Sequence, residues 1–124
     1  MKMTNGEAAF RLNALKQMEN MDMAIPVAAG YRIMQNLKSL STALEPYQTM
    51  RDAIIRKYSN GKLAIKKEDD PEAFQFCVKE LEELDALELD VDIQKMPVSL
   101  IGKKELPFRI LYAMEFMIEG GGDG

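Results

Sequence analysis

The first half of the chain repeats its apolar residues at the spacing of an α-helix. Thr4 and Glu7 stand three positions apart in Thr4-Asn5-Gly6-Glu7, the arrangement of a capping box, which predicts a helix start. The apolar positions behind it recur at intervals of four, three and three residues: Ala8, Leu12, Leu15 and Met18. A first amphipathic helix is therefore expected up to the turn at residues 20–24.

A longer apolar stripe follows Pro26, which suits the first turn of a helix because proline has no amide hydrogen to donate. Its members recur at intervals of four and three residues, with one gap at Arg51: Ile33, Leu37, Leu40, Leu44, Tyr47, Ile54 and Tyr58. One helix over residues 26–58 would be roughly 50 Å long, whereas a domain of this size is ~30–35 Å across. Because Pro46 removes a hydrogen bond and clashes with the preceding turn, we predict that the helix kinks or divides there. The alternatives are a projecting arm of a helical hairpin, or packing against a second copy.

Turn and cap residues mark the next elements. Ser59-Asn60-Gly61 predicts the end of the second helix, since these residue types tolerate left-handed backbone angles. Leu63 and Ile65 then alternate with polar residues, which predicts a brief strand. Asp69-Asp70-Pro71-Glu72 predicts the start of a third helix, with an Asp cap and a Pro in the first turn. The expected buried face of that helix comprises Phe74, Cys77, Val78, Leu81 and Leu84.

The apolar period changes from about 3.6 to 2 over residues 87–94, which predicts a strand with one solvated face. The apolar and polar members alternate as Leu87, Glu88, Leu89, Asp90, Val91, Asp92, Ile93 and Gln94. We expect this strand to pair with the strand near Leu63 and Ile65, with the third helix as the crossover. Met96-Pro97 interrupts it, and a third edge strand is a candidate at Val98, Leu100 and Ile101. Residues 107–118 are apolar on nearly every side, which predicts a buried C-terminal helix.

These elements predict a mostly helical α+β fold: a helical hairpin with a long second helix, a two- or three-stranded sheet and a buried C-terminal helix. With 124 residues, 47% of them hydrophobic, the chain suits one domain, expected at residues 1–119, with a disordered glycine-rich tail at 120–124. No apolar run reaches the roughly 20 residues that a bilayer requires, and residues 1–7 lack the apolar stretch of a signal peptide. A single cysteine cannot close an internal disulfide. We therefore expect a cytoplasmic protein.

The amino-acid composition argues against most kinds of catalytic site. Histidine is absent, so the commonest general base and the commonest zinc ligand are missing. Cys77 lies in an apolar part of a predicted helix with no histidine to activate it, which favours a structural cysteine. Glu88, Asp90 and Asp92 share a strand face, but no glycine lets the chain wrap a cation, so a solvated face is favoured over a metal site. We predict no catalytic residue, no metal, no cofactor and no enzymatic activity.

Charge and apolar surface instead favour binding. Residues 68–92 hold eleven acidic residues and one basic residue, so this segment should repel nucleic acid. One predicted interaction surface is the apolar stripe of the second helix, for another protein or a second copy. It comprises Ile33, Leu37, Leu40, Leu44 and Tyr47. The alternative surface is an acidic face that mimics nucleic acid. It comprises Glu80, Glu82, Glu83, Asp85, Glu88, Asp90 and Asp92.

Several segments resemble one family. They are Met1-Lys2-Met3-Thr4-Asn5, the long second helix, Leu81-Glu82-Glu83-Leu84 with the strand that follows, and the closing Ala113-Met114-Glu115-Phe116-Met117-Ile118-Glu119. Together they resemble a family of small tailed-phage and prophage proteins of unknown function, over most of the chain. The resemblance implies a phage or prophage gene in a bacterial host and brings no active site. We expect a non-enzymatic interaction protein in virion assembly or an assembly chaperone. An acidic inhibitor of a host or defence nucleic-acid-binding protein is the alternative, and a metal-dependent enzyme comes third.

Overall fold

The computed structural model describes residues 1–19, 25–97, 99 and 112–119. Within them the chain forms a mostly helical α+β fold, as the sequence predicts. The elements are β1 (Lys2–Thr4), α1 (Asn5–Glu19), α2 (Val27–Ala43), α3 (Glu45–Tyr58), α4 (Pro71–Ala86), β2 (Glu88–Asp90) and a 3₁₀ turn (Glu115–Met117). Each helix in these ranges is too short or too polar to traverse a lipid bilayer.

Two helix starts confirm the capping signals. At α1 the Glu7 amide donates to Thr4 Oγ1 at 3.1 Å, and the Thr4 hydroxyl donates to the Glu7 carboxylate at 3.2 Å. At α4 the Ala73 amide donates to Asp70 Oδ1 at 3.1 Å, directly ahead of the Pro that opens the helix. Both side chains satisfy amides that a helix start otherwise leaves unpaired.

The long second helix divides at Leu44 into α2 and α3. Leu44 keeps near-helical angles, its amide donates to Leu40 O at 3.0 Å, and its carbonyl accepts from the Gln48 amide at 2.9 Å. Pro46 thereby falls in the first turn of α3, where its missing amide hydrogen has no intrahelical partner to lose. Division keeps each helix within the width of the domain, since the 17 residues of α2 span about 26 Å. The α3 helix ends as predicted, with positive φ at Asn60 and Gly61.

The sheet has a different partner from the predicted one. β2 pairs antiparallel with β1, in the register Lys2 with Asp90, Met3 with Leu89 and Thr4 with Glu88. The predicted strand near Leu63 and Ile65 is wrong, because residues 62–66 form no strand and Leu63 is exposed. Pairing with β1 lets the helix starting at Asn5 follow the strand directly. Asn5 then ties α1 to α4, since its amide donates to Leu87 O at 2.8 Å and its side chain donates to Leu84 O at 2.9 Å.

The core lies among the four helices and the extended segment after β2. The strand predicted over residues 87–94 is confirmed only at Glu88–Asp90. Burial alternates from Leu89 to Ile93, with Val91 buried and the acidic neighbours exposed, whereas Leu87 is exposed after the last turn of α4. Of the predicted buried face of α4, Cys77 and Leu84 are buried and the rest are half-buried. The largest fully buried side chains are Leu15, Leu40, Leu44, Met96, Met114, Met117, Val91, Asn36 and Cys77.

The C-terminal segment is buried, although its described part forms only a short helical stretch. Residues 112–114 are helical and the 3₁₀ turn follows, with Phe116 and Met117 buried. Ile118 is extended and forms a parallel bridge with Met96, whose amide donates to Met117 O at 2.9 Å. The remainder of the predicted helix at 107–111, the candidate third strand at Val98, Leu100 and Ile101, and the tail at 120–124 lie outside the described residues.

Candidate functional site

The apolar stripe predicted as an interaction surface lies in the core. Its five side chains are all buried: Ile33, Leu37, Leu40, Leu44 and Tyr47. They belong to one cluster with apolar residues of α1, α4 and the C-terminal segment, so the chain itself covers them. The prediction that this stripe binds a partner or a second copy is therefore wrong for the folded chain. An apolar stripe at helical spacing indicates that one face of a helix is buried. Whether the same chain or a partner covers that face depends on contacts distant in sequence.

Tyr47 joins this stripe to the predicted acidic face. Its hydroxyl donates to Asp85 Oδ1 at 2.7 Å, across the contact between α3 and α4. Burial, and then the hydrogen bond to the Asp85 carboxylate, raise the pKa of Tyr47 above its ordinary value. Both residues therefore serve the packing of these helices.

The seven acidic residues of the alternative surface are divided between α4 and the segment that begins with β2. Four of them have partners within the chain. Glu80 accepts from Lys57 Nζ at 3.0 Å and Asp85 accepts from Tyr47. Asp90 accepts from the N-terminal amine at 2.9 Å, and Asp92 accepts from Gln94 Nε2 at 3.3 Å. Among the described residues, the other three make no such contact and are exposed: Glu82, Glu83 and Glu88.

The described residues hold no metal centre or activated nucleophile. Among them, no three His, Cys, Asp or Glu side chains lie close enough together to hold a metal ion. Cys77 is fully buried, and burial, followed by the nearby charge of Glu80, raises the pKa of its thiol. A buried thiol that resists ionisation is a poor nucleophile.

The sequence interpretation missed an exposed apolar stripe on α2. Val27, Tyr31 and Met34 are 90%, 64% and 61% exposed, and they recur at intervals of four and three residues. They share a helix face, while Ile33 and Leu37 point into the core from another. Their spacing was visible in the sequence, but the stronger stripe beside it supplied the expected buried face. Exposed aromatic and Met side chains in a row are typical of protein-binding surfaces.

A groove of about 740 Å³ lies between α2 and residues 90–94. Tyr31, Met34 and Lys38 lie on the helix wall together with Gln35, Ser39, Thr42 and Ala43. Asp90, Val91, Asp92 and Gln94 line the opposite wall. The helix wall therefore combines the large apolar side chains of Tyr31 and Met34 with polar residues and the basic Lys38. The opposite wall carries exposed carboxylates.

Asn36 fixes the two walls relative to each other. Its Nδ2 donates to Gln94 O at 3.0 Å, and the Gln94 amide donates to Asn36 Oδ1 at 2.7 Å. Arg32 adds a contact from its Nη1 to Gln94 Oε1 at 3.3 Å. Since the Asn36 side chain is fully buried, its hydrogen bonds hold the extended segment against α2.

A second hollow of about 480 Å³ lies between α1 and residues 112–116. Exposed Phe10 and Tyr112 line it. Two of its charged side chains contact each other or the hollow's own rings: Arg11 lies 3.8 Å from the Glu7 carboxylate and 4.9 Å from the centre of the Phe116 ring. Through these contacts the charges of Glu7 and Arg11 contribute to the packing of the chain itself.

Comparison of the chain with protein-family models, with characterised proteins and with solved structures gives no significant match. Its function is therefore inferred from the chain's own surfaces.

Proposed function

We propose that this protein is a non-enzymatic protein-binding component of a phage or prophage that acts in virion assembly, as an assembly factor or chaperone. The observation that carries the proposal is the groove between α2 and residues 90–94, with Tyr31 and Met34 exposed on its helix wall. Burial of such side chains by a partner is favourable by about 25 cal/mol for each Å² of apolar surface removed from water. Tyr adds a hydroxyl that can be paired in an interface, and Met adapts to different shapes.

The phage origin and the assembly role rest on the family resemblance of the sequence, with the cytoplasm of the bacterial host as the place of action. The groove supports the binding part of the proposal only. The apolar contacts that a partner makes with Tyr31 and Met34 persist in salt, since they do not depend on long-range charge.

A second candidate is the acidic inhibitor of a nucleic-acid-binding protein. The observation in its favour is that Glu82, Glu83 and Glu88 are exposed. Among the described residues, none of the three lies within salt-bridge distance of a basic group. Binding of this kind depends on attraction that is screened within about 8 Å at physiological salt, so its affinity should fall steeply as salt rises.

Site-specific photocrosslinking tests the binding proposal. A benzophenone amino acid replaces Met34 in cells that produce particles, and the matched control carries it at Met50, which is 53% exposed on α3. We expect one protein to be crosslinked from position 34 and not from position 50. Crosslinking from position 34 at the level of the control would reject the groove as a binding site.

The identity of the crosslinked protein and the phenotype of a deletion distinguish the two candidates. For an assembly role we expect a structural protein of the particle, and a deletion that stops particle formation while phage gene expression and DNA replication continue. If the protein is an inhibitor, it should instead be crosslinked to a host nucleic-acid-binding protein. Its binding would be lost in high salt and on charge reversal of Glu82 and Glu83.

A further inference from the structure

The outer edge of β2 opens onto the groove. Two hydrogen bonds fix the phase of the ladder: the Val91 amide donates to Met1 O at 2.9 Å, and the Asn5 amide donates to Leu87 O at 2.8 Å. In an antiparallel ladder hydrogen-bonded and non-hydrogen-bonded pairs alternate. The backbone groups of Glu88 and Asp90 therefore point away from β1. Within residues 1–19, 25–97, 99 and 112–119, no other strand pairs with this edge.

Asn36 already acts as a strand neighbour further along the same segment. Its carboxamide takes both the amide and the carbonyl of Gln94, the two bonds that a paired strand would make. Gln94 lies four positions after Asp90, so the two residues have the same parity in the extended chain. Among the described residues, the outer edge of β2 thus has no strand partner, and it continues to Gln94, where the Asn36 side chain on α2 makes the hydrogen bonds of a neighbouring strand.

We propose that this edge and the α2 wall receive an extended segment of a partner protein in which basic and apolar residues alternate. This inference rests on the proposed binding function and names the chemistry of the partner. Pairing by strand addition to an exposed edge supplies main-chain hydrogen bonds, and alternate side chains supply specificity. About five residues of a partner would span residues 88–92.

Charge complementarity determines the sequence of the occupant. Glu88, Asp90 and Asp92 are exposed on one face of the segment, at intervals near 7 Å, whereas Leu89 and Val91 point to the other face. Residues directly opposite on an added strand share the face of the acids, where basic side chains are favoured. Asp90 also accepts from the N-terminal amine and Asp92 from Gln94 Nε2, so among these three Glu88 offers the freest carboxylate. The intervening residues of the partner share the face of Leu89 and Val91, which favours apolar side chains.

Synthetic peptides test the pairing. The probe is a short capped peptide in which Lys and Val alternate, and the control has the same composition with its Lys residues grouped. Two further peptides carry N-methyl groups on the Lys amides alone or on the Val amides alone. Since a strand presents alternate amides to one edge, we expect only one methylated peptide to lose binding, by about tenfold or more. Loss of binding by the peptide methylated on its Lys amides would indicate antiparallel pairing. Loss of binding by the peptide methylated on its Val amides would indicate parallel pairing.

Binding is measured by fluorescence anisotropy up to peptide concentrations on the order of 1 mM. The pairing would be overturned if the two methylated peptides bound equally well or lost binding equally. It would also be overturned if the grouped peptide bound as well as the alternating peptide, or if the alternating peptide did not bind. A partner crosslinked from position 34 whose binding showed no preference for such a segment would leave the binding function standing and reject this inference.

Protein variants locate the peptide independently. We expect Glu88→Lys to weaken binding about tenfold and the matched Glu82→Lys on α4 to change it little. Met34→Glu should weaken binding, while Met50→Glu should not. All four side chains are exposed, so circular dichroism should show unchanged folding. Equal effects within each matched pair would contradict the proposed location.

Discussion

The fully buried side-chain amide of Asn36 pairs with the backbone of Gln94, at the edge of the core, through two hydrogen bonds of 3.0 and 2.7 Å. Asn36 Nδ2 also lies 3.4 Å from Met117 Sδ. A buried amide in the middle of a helix would be costly without partners, but here the α2 helix, the segment after β2 and the C-terminal turn meet around it. This polar contact therefore sets how the extended segment sits on the helices.

Asn36→Ala should lower the free energy of unfolding by roughly 1–2 kcal/mol, because it leaves the partly buried amide and carbonyl of Gln94 without their partners. Asn13→Ala, at an exposed position of α1, is the matched control and should change stability little. Urea unfolding measures both. Hydrogen exchange should also become faster at the Gln94 amide in the Asn36 variant, and unchanged exchange there would contradict the assigned role.

Tyr47→Phe should lower the free energy of unfolding by about 1–2 kcal/mol at neutral pH, because the hydrogen bond to Asp85 is lost. The folded chain raises the pKa of Tyr47 above the ordinary value of 10.0, so the stability it contributes is present below pH 10 and is lost as pH rises beyond it. The stability difference between the wild type and the variant should therefore shrink as pH rises above about 10. Exposed Tyr31→Phe is the control, and a difference that grew with pH would refute the assignment.

Asp70→Ala should cost about 1 kcal/mol of stability, because the Ala73 amide loses its partner at the start of α4. Asp69→Ala removes a neighbouring carboxylate of the same charge that makes no cap, and should have a smaller effect. Thermal unfolding followed by circular dichroism compares the two. Equal losses in both variants would point to general electrostatics at the positive end of the helix dipole.

Cys77 should not react with a thiol reagent in the native protein and should react fully in denaturant. The side chain is fully buried, and burial raises the pKa of its thiol, so both access and ionisation oppose reaction. Mass spectrometry after brief alkylation measures the modified fraction. Rapid modification under native conditions would show that α4 opens away from the core.

Structural features that depend on interactions over a few residues could be predicted from the sequence. The caps at Thr4 and Asp70 act on amides three positions away, so the starts of α1 and α4 were accessible without knowledge of the fold. Pro46 predicted a break because its clash is local, although the choice between a kink and a division was left to the packing of α3 on α4.

Contacts between distant segments were not predictable in the same way. Alternation in residues 87–94 identified a strand and its wet face, but nothing local indicates that Lys2–Thr4 is its partner. The periodicity of Ile33 and Leu37 showed that one face of α2 is apolar, and it could not show that the chain covers this face itself. The groove was missed for the same reason, since it exists only where residues 90–94 meet the face that carries Tyr31 and Met34.

The order of the strands in the chain also has a consequence for folding. β1 precedes all four helices and β2 follows them, and the side chain of Asn5 bonds to the carbonyl of Leu84, 79 positions away. Closing so long a loop carries an entropic cost before its contacts offset it, so pairings of this kind form slowly. During synthesis the helices can form while β2 is still within the ribosome. We therefore expect nascent chains to acquire the groove only after residues 88–94 have left the ribosome, so a partner that requires the groove can distinguish these chains from shorter ones.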